Sequence, residues 1–219
     1  LLASVVLDRQ TLRFERAIQF CHMLLEDRSP SVRAGHTQGF AFAFDMNAVY
    51  ESFVERFIAL EVLPGLNKKL TRDGYKVVMG AQGGAKTQYI FTREHSGTER
   101  LLLKPDLLFT LEENGRVIRK FVIDTKWKAL EAKDGDSVSR SDLYQMYAYM
   151  AEYDCRRVVL LYPGLDDSFT HDGYILNKDR DRRVLVKTMP VSEDPRDDDA
   201  RQRLSAQLEE ILSSGLDLV

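Results

Sequence analysis

Asn114-Gly115 stands between two apolar runs, Leu107-Leu108-Phe109 and Val117 to Ile123, and this hairpin signal constrains the fold more than any other feature of the chain. A two-residue hairpin turn needs positive φ at both central positions, which asparagine and glycine tolerate, so the two runs are expected to pair as antiparallel strands. Lys104-Pro105-Asp106 precedes the first strand, and Ile123-Asp124-Thr125-Lys126 ends the second. Side chains alternate along a strand, so Asp124 and Lys126 share one face while Ile123 and Thr125 share the other. A strict two-residue turn, however, sets Asp106 opposite Ile123 and puts the two aspartates on opposite faces. A common face requires a shift of one residue, from a three-residue turn with Gly115 left-handed or from a bulge near the acids.

Two carboxylates on neighbouring strands form a site for Mg²⁺, a hard cation that takes oxygen ligands and keeps room for a phosphate. Lys126 would orient or help deprotonate an attacking water. The combination points to phosphodiester cleavage. The apolar residues Leu101-Leu102-Leu103 and Phe121-Val122-Ile123 give the acids a strand-end setting. Phe44 to Ile58 carries apolar residues at 46, 49, 50, 53, 54, 57 and 58, an amphipathic helix with Asp45 or Asn47 as its cap. Glu55 falls opposite the stripe, whereas Glu51 borders it and is the better third metal ligand. Ser141 to Tyr153 reads as a second helix with the stripe Leu143, Met146, Tyr147 and Met150. Gln145 and Tyr149, one turn apart on another face, suit contact with a phosphate backbone or support of the Lys126 region.

Pro105-Asp106, Asp124-Thr125-Lys126 and the Gln145 to Tyr149 spacing resemble the PD-(D/E)XK nuclease superfamily and its RecB-like branch. Phe44-Asp45-Met46-Asn47, Tyr50 to Val54, Leu103 to Asp106, Asp124 to Lys128, Asp142 to Tyr149 and Leu161-Tyr162-Pro163 together resemble the McrC family. McrC is the nuclease subunit of McrBC-type, modification-dependent (methylcytosine-type) restriction systems. The resemblance implies an α/β, restriction-endonuclease-like fold with a mixed central sheet flanked by helices. It implies Asp106, Asp124 and the Thr125 carbonyl as Mg²⁺ ligands, with Mn²⁺ able to substitute, Glu51 as a further acid and Lys126 as the catalytic lysine. Gln145, Tyr149 and Lys128 would be supporting residues. The implied partners are double-stranded DNA, a McrB-like AAA+ GTPase hexamer, and a second nuclease during cleavage. A RecB- or Cas4-like exonuclease and a catalytically silent module that binds DNA or a motor are the alternatives.

Residues 1–35 are read as a helical lead-in joining an amino-terminal domain, and 36–219 as the nuclease domain with its carboxy-terminal helix. The 219 residues, 44% of them apolar, can bury one good core. Leu1 to Leu25 mixes apolar residues with Arg9, Arg13, Glu15 and Arg16, which suits docking helices and not a signal peptide or membrane span. Cys21 and Cys155 make neither a disulfide framework nor a zinc pattern, consistent with a reducing cytoplasm, and His22, His36, His95 and His171 lack metal-ligand spacing. The formal net charge is −3, unevenly spread. Gly65 to Lys104 holds eight basic residues against three acids, and its Lys68, Lys69, Arg72 and Lys86 are candidate phosphate contacts. Val191 to Val219 holds three basic residues against eight acids, Glu193 to Asp199 reading as a linker and helix start.

Gly80 to Thr87 is Gly-rich, but Ala85 stands where a phosphate loop needs its second glycine, so no nucleotide site is expected on this chain. Arg157 to Gly164 reads as a buried central strand, Arg183 to Thr188 as an edge-like one, and Asp199 to Ser214 as a helix stopped by Gly215. A chain without the amino-terminal domain is expected not to stimulate GTP hydrolysis by a McrB-like motor, which a mixing assay checks.

Overall fold

The computed structural model describes residues 31–34, 37–40, 45–81, 87–128, 130, 138–164 and 172–218. They divide between two compact units, Leu1–Asp45 and Met46–Val219. In the first, β1 (Ser31–Ala34) pairs antiparallel with β2 (Thr37–Phe40). The described end of the expected helical lead-in is thus a strand, and the units part after Asp45 instead of after residue 35. The rest of the lead-in, with Cys21, lies outside the described residues.

The second unit is built on a six-stranded mixed sheet in the order β3-β6-β7-β8-β10-β9. These strands are β3 (Tyr75–Ala81), β6 (Leu107–Glu113), β7 (Arg116–Thr125), β8 (Arg157–Gly164), β9 (Asp172–Leu176) and β10 (Asp179–Pro190). The β7–β8 and β8–β10 pairings are parallel. A parallel pair needs a crossover, and helix α3 (Arg140–Glu152) lies between β7 and β8 in the chain. β8 is the buried central strand its apolar run predicts. β10 is not an edge, because β9 pairs along its outer side.

Period-two alternation sorts the side chains into two cores. Leu107, Phe109, Leu111, Phe121, Ile123, Val159 and Leu161 pack on one face against α1 (Met46–Phe57), α2 (Leu63–Leu70) and α4 (Asp198–Gly215). One π-helical turn, Ile58–Val62, joins α1 to α2. Leu108, Val122, Val158, Leu160 and Tyr162 pack on the other face against Met146, Tyr149, Met150 and Tyr153 at or just after α3. Complete burial of such a side chain contributes about 1.5–3 kcal/mol, so the central strands anchor the unit.

The β6–β7 turn is the two-residue form, with φ of 51° at Asn114 and 81° at Gly115 and Glu113 paired with Arg116. The register then shifts: Glu112 faces Val117, but Leu111 faces Arg119, leaving Ile118 extra in β7. The one-residue shift is present, located beside the turn and not beside the acids. Pairing continues to Leu107 opposite Ile123, which brings Asp106 level with Asp124.

Leu101-Leu102-Leu103 does not continue into β6. It belongs to β5 (Glu99–Leu103), which among the described residues pairs with β4 (Gln88–Thr92) in a separate two-stranded sheet, and Leu101 and Leu102 are exposed while Leu103 is buried. The stretch 82–86 lies outside the described residues. No described helix is long and apolar enough to cross a membrane.

Helix α4 starts on Asp197, whose side chain accepts from the Ala200 amide, as the acidic run predicts. Gly215 is not its left-handed stop. It is the last helical residue, and a Cβ there would lie 2.3 Å from two ring carbons of fully buried Phe121. Gly215→Ala is therefore expected to destabilise the protein by about 1–3 kcal/mol through overpacking, read as a lowered urea midpoint at unchanged slope.

Candidate active site

Asp106 and Asp124 meet at the end of the β6–β7 pair remote from the turn, on the face covered by α3. One oxygen of Asp106 accepts from the Thr125 amide at 2.7 Å and from the Thr125 hydroxyl at 2.8 Å. These bonds lock the loop carboxylate to the strand that carries its partner. Asp124 is 1% exposed; the Lys126 ammonium opposes it as an ion pair, and among the described residues neither of its oxygens meets a donor with regular hydrogen-bond geometry.

Burial, and then the Asp106 charge, push Asp124 up to about 7 against the opposing pull of Lys126 and Tyr149. Two neighbouring carboxylates, one of them buried and paired with a lysine, are still short of positive charge. The donor set therefore fits a hard divalent cation held by Asp106 and Asp124.

Lys126 also donates to Gln145 Oε1 at 3.1 Å, Gln145 Nε2 donates to the Tyr149 hydroxyl at 2.9 Å, and that hydroxyl donates to the Lys104 carbonyl at 3.0 Å. The relay runs one way and ends two residues before Asp106. Its last step needs a protonated phenol, and burial pushes Tyr149 far above the ordinary tyrosine range. Tyr149 is fully buried although it lies off the stripe expected for this helix, and Tyr147, expected in that stripe, is 53% exposed. The reason is that α3 turns the Gln145–Tyr149 edge towards residues 103–106, where Tyr153 also donates to the Leu103 carbonyl at 3.4 Å.

Glu51 sits half-buried on α1, whose buried side packs on the other face of the sheet. Among the described residues no three His, Cys, Asp or Glu side chains form a metal-holding group. Asn47 is no helix cap: its side-chain oxygen accepts from the Trp127 amide at 3.3 Å, tying α1 to the chain beyond β7.

The basic candidates fall elsewhere. Gly74, after Arg72, accepts from the Asn114 amide, and Tyr75 pairs with Glu113. Arg72 is thus at the turn end of the sheet, about 20 Å from the acids at 3.3 Å per residue along β3. Lys68 is exposed on α2, Lys69 pairs with Glu209, and Lys86 lies outside the described residues.

Lys128 is paired with Asp142, a residue that no sequence motif singled out as part of the site. Burial raises Asp142, but the hydrogen bonds from Lys128 and Ser139 outweigh it and hold the carboxyl below its ordinary value. Tyr162 donates to the same carboxylate at 3.3 Å. The available signal was parity, since Tyr162 shares a strand face with Val158 and Leu160.

Fold and site together define a mixed α/β protein with an aspartate pair and a lysine at the end of two neighbouring central strands. Residues 2–163 match the family model described as McrBC 5-methylcytosine restriction system component, and the chain belongs to that family, as its McrC-like motif order implied. Among solved structures it is similar to a chain in the refined half-complex from a tetradecameric assembly of Thermococcus gammatolerans McrB AAA+ hexamers with bound McrC, with a TM-score of 0.58 and 18% identity. That likeness is one of fold; it covers 96% of this chain and 41% of the other, so this chain spans about two fifths of its length. No curated protein matches the sequence.

Asp124 titrates near 7 when folded and near 3.8 in its unperturbed state, so the folded chain binds the extra proton between those values and loses stability as pH rises through them. Asp124→Asn is therefore expected to raise the metal-free melting point at pH 8, by the equivalent of a few kcal/mol, about 4 at most, and to leave it little changed at pH 4. Thermal melts in EDTA at both pH values check this.

Proposed function

We propose that the chain is a Mg²⁺-dependent DNA endonuclease of the PD-(D/E)XK type, acting in modification-dependent restriction of methylcytosine-type DNA. The observation that carries this reading is the buried Asp124 beside Asp106, with Lys126 paired to it and held there by Gln145 and Tyr149. Asp106 and Asp124, with the Thr125 carbonyl, would hold Mg²⁺, and Mn²⁺ would substitute. The cation would supply Lewis-acid polarisation of the phosphodiester and offset the negative charge that develops during displacement.

The protein's own groups do the rest. Thr125 holds one oxygen of Asp106 by two hydrogen bonds, so this carboxylate has little left to reorganise. Lys126 keeps its ammonium beside Asp124 and would orient the water that attacks phosphorus in line, while Gln145 limits where that ammonium can go. Glu51 would serve as the upstream acid on α1, a further ligand for the cation. Lys68, Lys69 and Arg72 would at most contact DNA at a distance from the cut, and Lys86 would contact its backbone.

Membership of the family, together with the likeness to a chain from an assembly of McrB hexamers with bound McrC, supports a McrB-like AAA+ GTPase as the partner. The modified base would then be read by the motor, and two nuclease chains would pair to cut both strands. A RecB- or Cas4-like exonuclease would use the same residues but require free ends.

Covalently closed plasmid separates the two. With Mg²⁺ and the motor partner, the chain is expected to nick or cut the closed circle, Asp124→Ala to abolish cutting, and Lys126→Ala to slow it by about 10²–10⁴-fold. Cutting of linear DNA alone would favour the exonuclease. No cutting by the partnered wild type would leave a module that binds without catalysis.

A further inference from the structure

The three residues Lys126-Trp127-Lys128 are tied to three different elements. The Lys126 amide donates to the Leu161 carbonyl of β8 at 3.0 Å, the Trp127 amide to Asn47 of α1 at 3.3 Å, and the Lys128 ammonium to Asp142 at the first turn of α3. Within the segment the Lys128 amide donates to the Lys126 carbonyl at 3.0 Å. Asp142 is 7% exposed and takes a second hydrogen bond, from the fully buried Tyr162, on the same oxygen that faces Lys128. One turn further along α3 stands Gln145, the acceptor of the Lys126 ammonium.

We infer that Lys128, Asp142 and Tyr162 form a clamp that sets the position of Lys126, so that Lys128 is a positioning residue and not a contact to the DNA backbone. Lys128 is the natural candidate for a phosphate contact by its place beside the site, but its charge is already matched by Asp142. A buried carboxylate left without its cation is costly, which makes the pair cooperative: loss of either member releases both. Because the pair joins the segment carrying Lys126 to the helix carrying Gln145, it governs both ends of the Lys126–Gln145 bond. The catalytic consequence rests on the nuclease reading; the structural one does not.

Trp127, the only tryptophan in the chain, lies inside the clamped segment with its ring 5.5 Å from Tyr50, so its emission reports the clamp directly. The test compares wild type with Lys128→Met, Asp142→Asn, their double variant, Lys128→Arg and the milder Tyr162→Phe. Lys128→Met and Asp142→Asn are each expected to red-shift Trp127 emission and ease acrylamide quenching, with unchanged far-UV circular dichroism. The double variant should be no worse than either single one, and Lys128→Arg should restore the wild-type spectrum.

Binding to a duplex oligonucleotide in Ca²⁺ should keep its salt slope in every variant. Where cleavage is measured, kcat should fall about 10-fold or more with KM unchanged. Unaltered Trp127 emission in folded Asp142→Asn overturns the clamp. A salt slope smaller by about one in Lys128→Met alone returns Lys128 to the phosphate backbone. If the charge variants fail to fold, Tyr162→Phe decides: a red shift supports the clamp and none refutes it. A wild type without nuclease activity would defeat the proposed function while the emission data still judge the clamp.

Discussion

The single extra residue in β7, Ile118, decides which face of the sheet every later side chain of that strand occupies. Because the side-chain period is two, an unshifted register would place Asp106 level with Ile123, and the two carboxylates would point into different cores. The shift costs one ladder position next to the turn, where Val117 and Ile118 are exposed and little packing is lost. From there to Leu107 the pairing is regular, so a local irregularity at one end of the hairpin is converted into carboxylate pairing at the other. Alternation in β6 and β8 then builds the two cores in step with it.

At that end the energetics reverse. A buried carboxylate is unfavourable, and the site assembles two acids where one is already almost sealed from water. Lys126 offsets part of the charge, and the relay through Gln145 and Tyr149 holds the lysine in place. The same bonds pin the Lys104 carbonyl, so the loop carrying Asp106 and the strand carrying Asp124 are positioned by one helix. Under the proposed function a divalent cation would supply the positive charge that this pair of acids is short of.

The motif pair, the hairpin, the central strand β8 and the helix α4 were readable because each is a local pattern: a turn dipeptide, an unbroken apolar run, an i, i+4 stripe. The errors share a cause. Arg183 to Thr188 has the alternating pattern of an edge strand, but whether another strand pairs outside it depends on residues 172–176, which nothing local connects to it. Tyr147 and Tyr149 are the same residue type two positions apart, and only the docking of α3 decides which is buried. Gly215 looks like a helix stop because glycine usually is one; the Phe121 ring that demands it lies 94 residues away in sequence.

Residue type and backbone periodicity were enough to name the candidate acids and the candidate lysine, and to set Asp124 and Lys126 on one face. The contacts came from tertiary packing alone. It placed Arg72 at the turn end of the sheet and matched Lys128 to Asp142. Periodicity specifies the direction of a side chain from its own strand or helix, whereas a partner is specified by how separate elements pack, and packing is a property of the whole core.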